Sequence, residues 1–372
     1  MASSVAPKKS TNLNIVKVLI LTKYGRLGAS SRLRFLQYLP SLKAVNIETT
    51  IQPLISDEVL RQRYNKGSYD FFLLLKCYFN RCLAMIKRNR FDVLWIEKEA
   101  LPWTPACMEL FLLRESIYAL DFDDAIFHNY DLHQSAMVRF FLGKRVDKLI
   151  NKSNLIIAGN EYLAQHAVTA GANWVQIIPT VIDLARYSSK NNYNIERNAN
   201  VLRVVWIGSP STMSYLKLLE KPLQRLASII PFNLRVIGGD SLAMQDVNIE
   251  IHPWSESTES EAIAECDVGI MPLLNTPWEQ GKCAYKLIQY MACGLPTVAS
   301  PVGANTSVIV DGVTGFLADT DDAWVDKLEL LLSDAALRKK MGDAGRERVK
   351  AHYCLQQTAP ILIDLLLKLG KV

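Results

Sequence analysis

The feature that most limits how this chain can fold is a repeated grammar: a short apolar run, a loop holding glycine, serine or proline, then helical spacing, played through twice. Residues 16–21 form a compact apolar run that opens into Tyr24, Gly25 and Gly28, and Leu33, Leu36 and Leu39 follow at helical spacing within 32–42. Runs at 47–51, 93–96, 116–122 and 155–158 read as further strands, and 70–90 reads as a long helix. The pattern restarts at 203–207, which ends in Gly208-Ser209-Pro210-Ser211-Thr212 ahead of a helix from about Met213. Runs at 234–237, 268–271 and 297–299 then end in Gly238-Gly239, Pro272, and Pro301 with Gly303. Buried strands alternating with helices dictate parallel sheets covered on both faces. The two series are separated by a break over 178–200, with Pro179 and a polar linker at 188–200. The expected class is therefore α/β, with two Rossmann-like, doubly wound domains. The 372 residues suit this, since domains run to about 150–200 residues each.

Composition excludes several alternatives. Hydrophobic residues make up 49% and charged residues 21%, which fits a globular chain with a large core. No apolar run reaches the roughly 18 residues that span a bilayer. Residues 1–14 are polar, lack the apolar centre of a signal peptide, and read as a disordered lead-in. The seven cysteines, at 77, 82, 107, 266, 283, 293 and 354, show no zinc-type pairing and read as free thiols in a reducing, cytoplasmic compartment. Residues 1–187 hold 24 Lys and Arg against 16 Asp and Glu, while 188–372 hold 18 against 21. Either this is chance, or the first half faces an anion such as a phosphorylated acceptor or a membrane surface.

Ligands of open parallel sheets sit at the carboxyl ends of strands. Ser209, Ser211 and Thr212 occupy such an end, where hydroxyls either cap the next helix or help its free amides hold a phosphate. The most informative segment is 278–296. Its Gly281 loop carries Lys282, Cys283 and Ala284 and enters a helix that stops at Gly294 and Pro296. Lys286, Gln289 and Cys293 share a face of that helix, and Leu287 and Met291 lie on a core face. A lysine in a first turn opposes the helix dipole, a cost that makes sense if an anion binds there; the alternative is a lysine that merely snorkels.

Three segments of the second half carry a family resemblance. They are Asp267-Val268-Gly269-Ile270-Met271-Pro272-Leu273, the Lys286-to-Pro296 helix, and Val310-Asp311-Gly312-Val313-Thr314-Gly315-Phe316. They resemble the C-terminal half of GT-B-fold, retaining glycosyltransferases of the family-4 type, most of all the bacterial subgroup that builds cell-surface polysaccharides. Ile177-Ile178-Pro179-Thr180-Val181-Ile182-Asp183 is similar to that family's interdomain signature. Leu120-Asp121-Phe122-Asp123-Asp124-Ala125-Ile126 and Gly28-Ala29-Ser30-Ser31-Arg32-Leu33-Arg34 resemble acceptor-domain motifs of the subgroup.

The resemblance implies an acceptor domain over 1–187, a nucleotide-sugar domain over 188–354, and a last helix, 355–372, that crosses back onto the first domain. It places the loops at Gly28 and Gly208 near the diphosphate and Trp254-Ser255 beside the base. Trp254 would stack there, or else be core. The resemblance puts Asp123, Asp124 and His128 where the family touches the reacting sugar, with Ser30, Arg32 and Arg34 on the acceptor side. The family's usual pair of donor-site glutamates falls here on Gly281 and Gln289. Gln289 would bond a ribose without charge assistance, and Glu279 is a substitute for the missing sugar-reading carboxylate. Lys282 and Lys286 would neutralise the diphosphate, as the family's usual basic pair is missing. Asp121, Asp123, Asp124 and His128 also read as a metal set, although the family needs none.

The expected activity is transfer of a glycosyl group, with retention and without cofactor or metal. The donor is a nucleoside diphosphate sugar and the acceptor a lipid-linked saccharide. Residues 70–90 are expected to lie on the inner face of the membrane through Phe71, Phe72, Leu73, Leu74 and Leu75, with Arg81, Lys87, Arg88 and Arg90 at the headgroups; packing of 71–75 on the sheet is the alternative. A sugar-nucleotide epimerase and a non-catalytic binding partner are the rival functions.

Overall fold

The computed structural model describes residues 15–187 and 201–371. The expected lead-in at 1–14 and the linker over 188–200 lie outside the described residues. The first sheet is built from β1 (Lys17–Tyr24), β2 (Glu48–Ile55), β3 (Val93–Glu97), β4 (Tyr118–Phe122), β5 (Leu155–Ala158) and β6 (Val175–Ile177). They lie in the order β2-β1-β3-β4-β5-β6, parallel throughout. The second sheet uses β7 (Leu202–Ile207), β8 (Phe232–Ile237), β9 (Asn248–His252), β10 (Val268–Met271), β11 (Thr297–Ala299) and β12 (Gly315–Leu317). Their order is β12-β11-β10-β7-β8-β9, again all parallel. The two doubly wound sheets expected from the alternating pattern are present.

Central strands are continuous apolar runs because both faces are covered; every residue of β3, β4 and β5 is buried. The strands that periodicity misses are edges. β6, β9 and β12 are short, and β9 alternates polar residues on a partly exposed ribbon, so none shows an unbroken apolar run. The stretch 32–42 is three pieces rather than one helix: Ala29–Arg34, a 3-10 turn at Leu36–Tyr38, and Leu39–Ala44 with proline in its first turn. The helix expected from Met213 is instead a ten-residue 3-10 segment, Pro210–Leu219, followed by the α-helix Glu220–Ile229.

The final helix, Leu355–Leu369, buries Leu362, Leu365, Leu366 and Leu369 in the same cluster as Val18, Ile20, Phe35 and Trp95 of the first domain. Thr358 and Tyr38 join their hydroxyls across it at 2.8 Å. The last described helix therefore packs with the first described strand in one domain.

The helix Phe71–Ile86 is capped by Asp70, whose carboxylate accepts from the Leu73 amide at 2.9 Å. Leu73 and Leu74 pack on a cluster formed by Leu54, Ile55, Val59, Leu60 and Cys77, while Phe71, Phe72 and Leu75 face solvent. Arg81 corrects the sequence expectation. It is fully buried, and its guanidinium donates to the carbonyls of Thr22, Gln52 and Ala100. It ties the helix to the ends of β1 and β2 and offers nothing to a headgroup. No helix of the described residues is long and apolar enough to cross a membrane.

Candidate active site in the interdomain cleft

The loops at the carboxyl ends of both sheets meet. On the first-domain side, β3 ends at Glu97 and Lys98 takes φ 62°, a left-handed conformation rare for a side-chain-bearing residue. That turn aims the ammonium at two carboxylates: Nζ lies 2.8 Å from Asp123 Oδ1 and 3.0 Å from Asp124 Oδ2. Burial disfavours the charged lysine, but Asp123, Asp124 and Glu97 more than offset it and hold its pKa well above the ordinary value. Burial also disfavours charge on Asp123. Lys98 and Arg34, with hydrogen bonds from Lys98 and Ser30, nonetheless keep that carboxyl below its usual range. Asp123 and Asp124 thus share one cation at the cleft, Asp124 being the more exposed. Sequence reading missed Lys98 because nothing in its local pattern distinguishes it from a surface lysine after a strand. Among the described residues no group of three His, Cys, Asp or Glu could hold a metal ion; the acids expected as ligands are engaged by Lys98 and Arg34.

Two acceptor-side expectations are corrected. Arg34 is buried, with Nε 2.8 Å from Asp121 Oδ1 and Nη1 donating to the Ile178 carbonyl at 2.6 Å, so it fastens β4 to the segment just after β6. Burial still pushes the Asp121 carboxyl up to about 6 against the pull of Arg34. His128 has both ring nitrogens committed, Nδ1 to Asp131 at 2.9 Å and Nε2 to the Tyr162 hydroxyl at 2.8 Å. Neither is free for an acceptor.

On the second-domain side, Pro277–Gln280 is one helical turn, and the chain then passes Gly281 to Ala284, whose φ of 52° starts the helix Tyr285–Ala292 with no side-chain cap. The Leu287 amide already donates to the Ala284 carbonyl at 3.0 Å, so the amides of Tyr285 and Lys286 are the ones left for a ligand. Lys286 projects there, its Nζ 4.1 Å from the centroid of the Trp206 ring. Burial, and secondarily Lys282, lowers its pKa to about 7. Lys282 lies over the Tyr215 and Trp278 rings, at 5.6 and 5.9 Å. The Glu279 carboxylate is buried and accepts from the Tyr215 hydroxyl at 2.5 Å and from Thr276. It holds Tyr215 in place; it is not an open sugar-reading group.

Several donor-side assignments also change. Gln289 is buried and donates to the Tyr187 hydroxyl at 3.0 Å, so it braces the end of the first domain and does not open onto a ribose. The Cys283 thiol is buried against the first domain and donates to the Asp123 carbonyl at 3.2 Å; burial pushes its pKa up to about 12. Ser209 and Ser211 bond each other at 2.9 Å and cap no α-helix. The Ser255 hydroxyl accepts from the Thr258 amide at 3.2 Å, closing the turn ahead of the helix Glu259–Ala264.

Gly281 has a packing reason. A β-carbon there would lie 2.5 Å from that of Ala125, across the cleft. Asn160 reinforces the contact by donating to the carbonyls of Gln280 at 3.1 Å and Lys282 at 3.0 Å. Restoring the family's glutamate by Gly281→Glu should therefore push the domains apart instead of improving donor binding. Small-angle scattering should show a larger radius of gyration, and melting should come at lower temperature. An unchanged scattering curve with tighter nucleotide binding would contradict this.

The other rim is closed by charge. Glu256 lies 2.8 Å from Arg26 and 3.1 Å from Arg186. Arg32 sits over the Trp254 ring at 5.1 Å, and the indole N–H donates to Glu259 at 2.7 Å. Arg32 is thus engaged by the Trp254 ring at this rim, not where the acceptor-side expectation places it. It covers a face of Trp254, which a base stacking on that face would have to uncover.

Comparison with known proteins agrees with this fold. Residues 202–334 match the family described as glycosyl transferases group 1. Sucrose-phosphate synthase from Thermosynechococcus elongatus superposes with a TM-score of 0.70 at 14% identity, covering 95% of this chain and 98% of that one. The fold is GT-B. A second GT-B likeness is Anabaena HepE, solved with UDP and glucose, with a TM-score of 0.68 at 15% identity over 94% of this chain and 99% of that one. In sequence, D-inositol 3-phosphate glycosyltransferase from Pseudarthrobacter chlorophenolicus is 34% identical over 121 residues, 32% of this chain. The match spans only 27% of that relative's length. The sequence likeness thus rests on the second GT-B domain, and the likeness over the whole chain is one of fold.

Proposed function

We propose that the protein is a retaining glycosyltransferase that moves a sugar from a nucleoside diphosphate sugar to a hydroxyl of a lipid-linked saccharide, in cell-surface polysaccharide biosynthesis. One observation carries the reading. Lys286 and Lys282 stand at the uncapped start of a helix, facing a first-domain loop where Lys98 holds Asp123 and Asp124. The two lysines and the helix amides supply positive charge where a leaving diphosphate develops negative charge. The opposing carboxylates supply acceptors for sugar hydroxyls. No cofactor is needed for this chemistry, since it is displacement at one carbon with the leaving group stabilised electrostatically.

The test is incubation with a panel of UDP-, GDP-, ADP- and dTDP-sugars, with and without membrane extract, in EDTA. Product that requires the extract is the expected result. Isomerised donor without extract would mean an epimerase, and no turnover with retained binding would mean a binding role. Activity restored only by Mg²⁺ or Mn²⁺ would contradict metal-independent transfer.

A further inference from the structure

The first domain presents a surface that the cleft does not use. On the helix Phe71–Ile86, Phe72, Leu75, Phe79, Leu83 and Ile86 recur every three or four residues and are exposed, Phe72 to 78%, while Cys77, Arg81 and Met85 are buried on the opposite face. From this helix the Tyr78 hydroxyl donates to the Pro102 carbonyl at 2.9 Å. The next residue, Trp103, is half-exposed and packs edge-on against Tyr130 at 5.0 Å and His133 at 5.9 Å. Those residues lead into the helix Ala136–Leu142, which has no buried residue; Met137, Phe140 and Phe141 stand out of it, Phe140 83% exposed. Directly after it, Lys144, Lys148 and Lys152 repeat every four residues along one side and line an open recess with Asn151.

The chemistry of the face selects its partner. Exposed phenylalanines forgo the stabilisation that burial would bring, and a cluster of them marks an interaction site. Between Phe71 and Arg90 there is no acidic residue, whereas Lys76, Lys87 and Arg90 are exposed. Between Ala136 and Val146 there is again none. Asp147, beside the lysine stripe, is taken up by Lys144 and His166. A second copy of the chain meeting this face about a twofold axis would set lysines against lysines. Inserted aromatics flanked by cations, with Asp147 as the one acid lining the recess and already paired, match the interface of an anionic bilayer.

We propose that this face docks the first domain on an anionic lipid bilayer. The aromatic side chains of both helices enter the acyl boundary, and Lys144, Lys148 and Lys152 meet the headgroups. The docking is two-pointed: Ala136–Leu142 and its lysine stripe carry a share that the Phe71–Ile86 helix alone does not supply. It deepens the reading of a lipid-linked acceptor, but its test needs no sugar, so the two fail separately.

The experiment is flotation of the full chain with phosphatidylcholine vesicles and with mixed phosphatidylcholine–phosphatidylglycerol vesicles, at low and high salt. The protein should float with the mixed vesicles, at least tenfold less with phosphatidylcholine alone, and less at high salt. The double variant Phe140→Ser, Phe141→Ser should lose at least tenfold in partitioning. So should Lys148→Glu, Lys152→Glu, at about fivefold for each of the two basic contacts removed. All four side chains are exposed, so melting temperatures should not move. Wild-type protein that stays down with mixed vesicles overturns the proposal. So do variants that float as well as wild type, or phenylalanine variants that break a dimer and leave flotation unchanged.

Discussion

Lys98→Met should cost about 3 kcal/mol of stability at neutral pH, because it leaves two adjacent carboxylates without their cation in a poorly solvated loop. The sign with pH distinguishes this from lost packing. The folded pKa of Asp123 is depressed, so its stabilising share is present above its ordinary value of 3.8 and disappears as pH falls through the folded value. Lys98 is shifted up, so its share is complete below 10.5 and is lost only as pH rises through a value well above that. The penalty of the variant should therefore be largest between about pH 5 and 10 and shrink in acid, where the Asp123 carboxyl of the variant, no longer held down by Lys98, takes up a proton. Urea unfolding of both proteins at pH 7 and pH 4 measures it. A penalty below about 1 kcal/mol at pH 7, or one that grows in acid, contradicts the charge arrangement described for the cleft.

The second large effect concerns Lys286. With its pKa near 7, a good part of this ammonium is neutral at pH 7.5, and a diphosphate placed beside it should draw a proton from solution. Nucleoside diphosphate affinity should fall as pH rises above about 7, and calorimetry in buffers of different ionisation enthalpy should show proton uptake. Lys286→Ala should weaken binding about ten- to a hundredfold, the worth of one charge-assisted hydrogen bond, and abolish the uptake. The same shift has a stability consequence of opposite sense to the usual lysine pair. The folded value lies below the unfolded one, so the group's cost to folding is full below pH 7 and is relieved as pH rises towards 10.5. Unchanged affinity in the alanine variant would remove Lys286 from the donor site.

Much of the fold could be read from the chain because its central strands are buried on both faces and so appear as unbroken apolar runs; β5 and β10 coincide with the runs at 155–158 and 268–271. The edges β6, β9 and β12 could not, since half-covered strands of three to five residues carry no such signal. The site was legible as loops but not as side chains. The segment at 278–296 does form a loop and helix at the cleft, yet Gln289 and Cys283 are spent on Tyr187 and Asp123. Those partners lie 102 and 160 residues away, and local spacing carries no information about them. Arg34 and Arg81 have the same character: expected at an acceptor and at a membrane headgroup, they instead hold backbone carbonyls from distant parts of the chain. Lys98 went unread because its role depends on a left-handed backbone and on two acids 25 and 26 residues later.

The central claim is that a nucleoside diphosphate sits in this cleft on the second domain. A crystal structure of the protein soaked with UDP, GDP, ADP and dTDP in turn tests it most directly. For the nucleotide that binds, the diphosphate should lie within hydrogen-bond distance of Lys286 and the first-turn amides of the helix Tyr285–Ala292. The base should lie against Trp254, with Arg32 moved off the ring. A nucleotide bound elsewhere, or a cleft that stays closed and empty with all four, would contradict the account.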